Sequence, residues 1–548
     1  MTRSRKSVLL ALAAGLALAD ASVVTLALPR LLTQLDATVE GVAAVIGVYT
    51  VVLAAALLPA ERLLRRMGPQ RLGAAGLALF GAACVGCAAS GSLELLLVLR
   101  AVQALGAAAA LVSAFDLLGE RGRPLWNTAA VVGFASGPAL GGLLTQLFDW
   151  RAIFVAQVPV AVAGAAAAFS SANEPEPGPG GAPGAQPAEH TRGPLASLAL
   201  LSAALTAVLF LLVLLLVAGW AEEPLAAAIA VTALPIAALA TRNATGNPHM
   251  RAAGGCVLVA AGTLAIAFLP QASLWWTLVP QLLAGAGIGL ALPALAGELL
   301  PERTPHDAAR LLTARHAGIA FALLILAPIV ASNLDAATER AKERGVAIVL
   351  DSPLPPQDKL TLAPDLLNGV KQSEPRKGLQ NAIKAHRAGY TGVQRNQYDR
   401  LGQQADDTLT SAVAESFRTA FLITAALALL AAVAVLPSPA WRRALAVLAA
   451  LAAAVPLGYV LLHASLAPEP VKIADPCKER TLPGAGGISG AVQDAALVSL
   501  DQIACHFGSS REQLVLALAD PQEAARYKRE HGVDPRSAGN LLRGLIGG

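Results

Sequence analysis

Charge is scarce in this chain. Of 548 residues only 14% are Asp, Glu, Lys or Arg, against 55% hydrophobic, where a soluble domain carries about 25% charged residues. A water-facing surface of this size is thereby excluded. The sequence also lacks a Gly-x4-Gly-Lys-Ser/Thr phosphate loop, a His-Glu-x-x-His pair and a Gly-x-Ser-x-Gly elbow, which leaves an enzyme reading little support. Cysteine is limited to five. Cys84, Cys87 and Cys256 fall in apolar runs and read as small core residues, so the Cys84-x-x-Cys87 spacing does not suggest redox chemistry or zinc. Cys477 and Cys505 fall in a polar tail, where an oxidising compartment would pair them, the alternative being two free thiols. Cys505-His506 has no second His or Asp at metal spacing, so neither a metal nor another cofactor is expected.

Apolar runs are what the sequence has in abundance. Blocks of about 18 to 26 residues suffice to cross about 30 Å of hydrocarbon. They fall at 8–28, 40–60, 71–89, 93–117, 125–147, 152–170, 195–219, 223–241, 253–270, 274–299, 310–332, 414–436 and 440–463. Thirteen is odd, which puts the termini on opposite sides. With the N-terminus inside, the inner segments hold fifteen basic residues, among them Arg3, Arg62, Arg65, Arg66 and Arg71, and the short outer loops hold only Arg30 and Arg151. That bias predicts a cytoplasmic N-terminus and an extracytoplasmic C-terminal tail. The net charge of +4 therefore reports topology, and nucleic acid is not expected as a partner. Arg3, Arg5, Lys6 and Ala17-Leu18-Ala19 imitate a signal peptide, but the apolar segment continues past Asp20 to Pro29, which predicts an uncleaved first helix.

The stretch 131–160 organises the rest. It reads VVGFASGPALGGLLTQLFDWRAIFVAQVPV and carries Gly133, Gly137, Gly141 and Gly142 around Pro138. Glycines at i, i+4 and i+8 share one helix face, so a second helix can approach to backbone contact. In water each Gly costs about 1 kcal/mol against Ala; in lipid, close packing compensates. The Gly-x3-Gly-Pro-x2-Gly-Gly run, followed by Asp149-Trp150-Arg151-x-Ile153-Phe154 and Val158-Pro159, resembles the antiporter motif on the fifth helix of the drug/proton antiporter branch of the major facilitator superfamily, of its usually fourteen-helix type.

Two further stretches carry the resemblance. Asp20-x-x-Val23-Val24-x-x-Ala27-Leu28-Pro29 is similar to the branch's first-helix signature, and Leu99-Arg100-x-x-Gln103-x-x-Gly106 to its arginine motif. An acid and a base inside spans each cost at least about 2.5 kcal/mol and call for a partner. At 1.5 Å per residue Asp20 lies about 18 Å and Arg100 about 20 Å from the inner face. Matching depths predict an Asp20–Arg100 pair near Gln103, which loosens when Asp20 takes a proton or else only orders the bundle. Asp116, at the inner end of the fourth block, reads as an interfacial acid. The loop 61–72 departs from the family's signature: aligned on Gly68 it keeps Leu63, Arg66 and Arg71 but has Glu61 for the first Gly and Arg65 for the Asp. The family's inner latch is then either replaced or weakened.

Beyond the sixth block, 171–194 is rich in Pro and Gly, a slack cytoplasmic linker between halves. The second half has little charge inside its blocks, and its TRNATGNPHMR is a degenerate copy of the signature loop. Gln281, Gly285, Gly287, Gly289 and Gly318 mark its helices 10 and 11, and His316 reads as a solvated or capped histidine. The insert 333–413 is too long for a plain connection, so it is disordered or functional; spacing from Ala405 extends the following helix outward. The tail 464–548 shows helical patterning in Ala491–Phe507, Arg511–Ala519, Pro521–His531 and Arg536–Ile546, with Asp501, Ser509 and Asp520 as caps.

The resemblance implies an all-α integral membrane fold. It would comprise two six-helix halves, 1–170 and 195–436, a thirteenth transmembrane helix at 440–463 and a helical extracytoplasmic module. It further implies a multi-pass secondary active transporter of the cell membrane that uses protons to export a hydrophobic or amphipathic small molecule across the lipid bilayer. An aromatic content of 4% argues against a cavity lined by rings. The alternatives are a non-transporting receptor or assembly protein that anchors the module for an extracytoplasmic protein or envelope partner, and an exporter of a lipid or envelope precursor.

Overall fold

The computed structural model describes residues 3–25, 27–171, 188–370, 375–436, 439–480, 482–483, 487–537 and 539. The regular elements among them are all helices, and the chain divides into two compact units: 1–218, 222–332 and 417–466 form the first, and 219–221, 333–416 and 467–548 the second.

The first unit opens with α1 (Arg3–Thr25), the short α2 (Leu28–Gln34), α3 (Val39–Met67), α4 (Pro69–Ala89), α5 (Leu93–Leu147) and α6 (Arg151–Phe169). The 55 residues of α5 are two helices in sequence, because Gly119 interrupts them at φ 58° and ψ −168°. Only glycine takes that conformation cheaply, so Gly119 divides the fourth apolar block from the fifth. Between α3 and α4, Gly68 at φ 78° caps one helix on the Leu64 carbonyl, and Pro69 starts the next. After it come α7 (Ala188–Val213), α8 (Pro224–Val231), α9 (Ala233–Thr241), α10 (Pro248–Ile266), α11 (Leu274–Leu292) and the beginning of α12 (Pro305–Leu350). Both α7 and α11 widen into π turns, at Leu214–Gly219 and Pro293–Leu299.

Eleven helices among the described residues are long and apolar enough to cross a membrane, against the thirteen blocks in the sequence. The block 8–28 falls on α1 and α2, and the block 125–147 on the part of α5 beyond Gly119. Helix α7 begins at Ala188, inside the expected linker 171–194, of which 172–187 lie outside the described residues.

The second unit is built from the end of α12, α13 (Pro356–Val370), α14 (Pro375–Arg387), the start of α15 (Gly392–Ala434), α18 (Gly487–His506), α19 (Arg511–Ala519) and α20 (Pro521–His531). Among its described residues the insert is thus mostly helical, and it shares one unit with the tail instead of standing apart. Ion pairs join them: Lys342 to Glu523 at 2.9 Å, Arg511 to Asp351 at 2.6 Å, and Arg526 to Glu339. A small core of Ile503, Ala504, Leu514, Ala517, Ala524 and Tyr527 holds the tail helices. Two expected caps are corrected. Ser510, not Ser509, caps α19 through a reciprocal pair with Gln513, and Asp501 lies inside α18; Asp520 does cap α20. Ser509 bonds Tyr527 Oη at 2.6 Å instead. The expected helix Arg536–Ile546 lies almost wholly outside the described residues.

The chain then returns to the first unit with the rest of α15, α16 (Pro439–Ala452) and α17 (Ala454–Leu466), which form the thirteenth block. That block is fastened to the second half by Tyr459 Oη on the Trp276 carbonyl (2.8 Å) and by His463, which meets the Leu269 carbonyl (2.9 Å) and Arg418 (3.0 Å).

Candidate functional site

The helix that lies on the glycine face is α1. A Cβ at Gly137 would strike Ser22, and one at Gly141 the Val23 carbonyl. Two turns lower, Gly15 of α1 returns the contact, with its own added Cβ only 2.7 Å from the Ala129 carbonyl oxygen. Gly142 is buried, while Gly133 and Pro138 lie outside the residues whose packing is described. Without side chains in the seam, α1 is seated deep in the first half. That seat brings Asp20 to the middle of the bundle.

There Asp20 meets Arg100, both fully buried, with Oδ2 at 2.5 Å from Nη1. Arg100 also donates from Nε to the Val45 carbonyl (3.0 Å) and from Nη1 to Gln103 Oε1 (2.7 Å). Its guanidinium stacks 4.4 Å from the ring centroid of Tyr49, whose hydroxyl donates to the Ala17 carbonyl at 2.9 Å. A cation over a ring in a desolvated site contributes about 2 kcal/mol, so the base is held by three kinds of partner. Gln103 Nε2 donates to Asp20 Oδ1 at 3.2 Å. Asp20, Arg100 and Gln103 therefore form one cluster, fed by α1, α3 and the first part of α5. Gln157 of α6 joins it, and sequence reasoning missed this residue. Its Nε2 donates to Asp20 Oδ1 at 3.2 Å. The signal was present: a carboxamide inside an apolar span needs a partner as a charge does.

The altered loop gives a second finding. Arg66 and Arg71 are exposed, whereas Glu61 is only 4% exposed. It accepts from Arg65 Nε at 2.8 Å and lies 3.5 Å from Nδ1 of His306. Thr313 Oγ1, on the same α12, donates to the Ala54 carbonyl of α3 at 3.4 Å. Glu61, standing where the family has glycine, thus touches the second half at the Arg-rich end of the bundle. At the opposite end of the first half, Trp150 Nε1 donates to Gln34 (2.8 Å), and Arg151 reaches Asp149 (2.9 Å) and the Ser90 carbonyl (3.2 Å). The exit of the glycine motif ties three loops.

In the second half, His316 is 3% exposed and bonds the Leu312 carbonyl at 2.8 Å, so it is a buried histidine and not a solvated one. Gln281 is buried on Thr277 (2.9 Å). Asp116 is exposed, as an interfacial acid would be.

In the second unit Cys477 and Cys505 are disulfide-bonded. Three residues on, Arg480 reaches the buried Glu512 at 2.9 Å, and Arg511 stands 3.1 Å from the same carboxylate. Burial pushes the Asp501 carboxyl up, although Arg511 and Arg480 pull it down. Burial also pushes the Lys359 amine down to about 8; its Nζ donates to the Leu350 carbonyl at 2.7 Å. Among the described residues no group of His, Cys, Asp and Glu could hold a metal.

A family model described as Major Facilitator Superfamily matches residues 10–332. The methylenomycin A resistance protein of Bacillus subtilis is 35% identical over 168 residues, 29% of this chain and 36% of that protein. The multidrug resistance protein Stp of Mycobacterium tuberculosis is 33% identical over 171 residues, covering 29% and 32%. The tetracenomycin C resistance and export protein of Streptomyces glaucescens is 32% identical over 165 residues, covering 28% and 31%. The chain thus spans about a third of the length of these curated relatives. A crystal structure of a bacterial homolog of the human lysosomal transporter Spinster, inward-facing and unoccupied, aligns with a TM-score of 0.56 at 15% identity over 83% of this chain and 98% of that one. This likeness shows the fold alone.

Proposed function

This chain belongs to the Major Facilitator Superfamily, a family of membrane transporters and not of enzymes, and we propose that its own activity is proton-coupled export of a hydrophobic or amphipathic small molecule. The observation that carries this reading is the buried Asp20–Arg100 pair on the helix seated against the glycine face. A carboxylate that is fully buried and held by one cation can change the local charge by one unit when it takes a proton, and such a change can bias a two-state bundle. Substrate would bind between the halves near mid-membrane and leave by alternating access. The named relatives, which confer resistance to methylenomycin A or to several drugs or export tetracenomycin C, support a small-molecule cargo. The Arg-rich loops support a cytoplasmic N-terminus, and the Cys477–Cys505 bond supports an extracytoplasmic tail.

In inverted vesicles with an imposed proton gradient, ethidium serves as the probe. The parent should accumulate it while the gradient lasts, and Asp20→Asn should not. Accumulation that ignores the gradient refutes antiport. A second reading is favoured by the joining of insert and tail into one unit: an assembly protein that offers this unit to an envelope partner. It predicts that Asp20→Asn leaves the protein's cellular role intact.

A further inference from the structure

Two carboxamides hold Asp20 Oδ1, and they are held differently themselves. Gln103 is fixed from behind: its Oε1 accepts from Arg100 at 2.7 Å, so its Nε2 must face the acid. Gln157 has no such anchor. Behind it, Oε1 has only Cys84 Sγ at 3.9 Å and Gln103 Nε2 at 3.5 Å, both at the edge of hydrogen-bond geometry. A Gln side chain offers a donor at one end and an acceptor at the other, and turning it over exchanges them.

We propose that Gln157 is a positioning residue for the protonation of Asp20, donating to the carboxylate while it is charged and turning over to accept from it once it is protonated. The inference rests on the proton-coupling reading above. Oδ2 faces the Arg100 guanidinium, so an incoming proton is directed to Oδ1, the oxygen that both amides address. With the amide as it stands, the new O–H would point at an N–H. At 1% exposure for Gln157 and none for Asp20, no solvent relieves that clash. A turn of the Gln157 amide does relieve it: Oε1 then accepts the O–H, and Nε2 faces Cys84 Sγ, a weak acceptor, so that only the marginal 3.5 Å contact from Gln103 Nε2 is given up. No covalent bond changes except the one to the proton. The change reaches α6, where Phe154, one turn from Gln157, lies 5.7 Å from the Arg100 guanidinium. The other titratable groups that act on this site from packed helices are Tyr49 of α3 and Cys84 and Cys87 of α4; α6 contributes none besides Arg151 at its start, and 125–147 none.

The test uses the full-length protein in lipid nanodiscs. A hydrophobic carbodiimide modifies a protonated carboxyl, so its attachment to Asp20, followed by mass spectrometry over a pH series, reads protonation without any substrate. Gln157→Leu removes a charge-assisted bond from the carboxylate and a weaker neutral bond from the acid, so its labelling midpoint should move toward alkaline pH by about one unit, a tenfold change in proton affinity. Gln157→Glu should move it further the same way. Infrared difference spectra between the two ends of the series should contain a side-chain amide carbonyl band that Gln157→Leu lacks and Gln103→Leu keeps. An unmoved midpoint in Gln157→Leu overturns the proposal, and so does an amide band that persists in it. Should Gln157→Leu fail to fold, Gln157→Met, which also lacks the amide, carries the same test. An Asp20 that takes no label at any pH in the parent overturns the proton-coupling reading itself.

Discussion

Replacing Arg100 by methionine tests the central pair most directly. Methionine fills much of the same volume without charge, so the packing against Tyr49 and Phe154 is largely kept and the electrostatics are not. In the structure the variant loses the 2.5 Å contact to Asp20, the bond to the Val45 carbonyl and the bond to Gln103. Asp20, fully buried, is left with two uncharged carboxamides. Removing one partner of a buried ion pair costs about 3–5 kcal/mol, most of it the penalty of the charge left behind. The assay is thermal unfolding of the full chain in nanodiscs, run as a cycle with Asp20→Asn. Arg100→Met alone should unfold well below the parent, while the double variant should recover most of the loss because no buried charge remains. The deficit of the single variant should also shrink as pH falls and Asp20 takes a proton. If the double variant loses the sum of the two single losses, or Arg100→Met stays within about 0.5 kcal/mol of the parent, the reasoning fails.

Removing the link between Cys477 and Cys505, 28 residues apart, releases about 3.6 kcal/mol of loop-closure restraint in the chain-entropy account. Amides of α18 and α19 should exchange up to about 400-fold faster in the double Ser variant, and unchanged protection would refute the role given to the bond. Lys359 has a folded value of about 8 against an ordinary 10.5, so between those values the unfolded chain binds more protons than the folded one. The second unit should therefore gain stability as pH rises through that window. Lys359→Met should abolish the slope, as followed by thermal unfolding at several pH values. Gly141→Ala drives a methyl into the Val23 carbonyl and should cost about 1–3 kcal/mol. Gly47→Ala, with nothing within 4 Å of the added carbon, should cost nothing, and equal losses at the two sites would refute the seam.

Much of the first unit was legible because its rules are local. Rise per residue is constant in a helix, so depth could be counted along the chain, and Asp20 and Arg100 could be matched without knowing any fold. The glycine spacing announced a bare face, though nothing in it named α1 as the partner. Gln157 was passed over because one amide among Ala and Val leaves no periodic trace. The second unit was least legible. Its insert and tail meet through Arg511–Asp351 and Arg526–Glu339, 160 and 187 residues apart, and no periodicity relates such distant charges. Ser510 was a different kind of miss: the Gln513 three residues on was readable as its capping partner.

The seam between α1 and the fifth block has a mechanical consequence. Helices that interlock through side chains resist being turned, since every knob must climb out of its hole. Here Gly137 and Gly141 present bare backbone to Ser22 and Val23, and the Ser22 hydroxyl bonds its own helix at Ala19 (2.7 Å) rather than reaching across. Such a surface acts as a bearing: it holds α1 close while offering little side-chain resistance to rotation about its axis, so the angle at which α1 sits is set by the bonds at Asp20 and Ala17 and not by the seam.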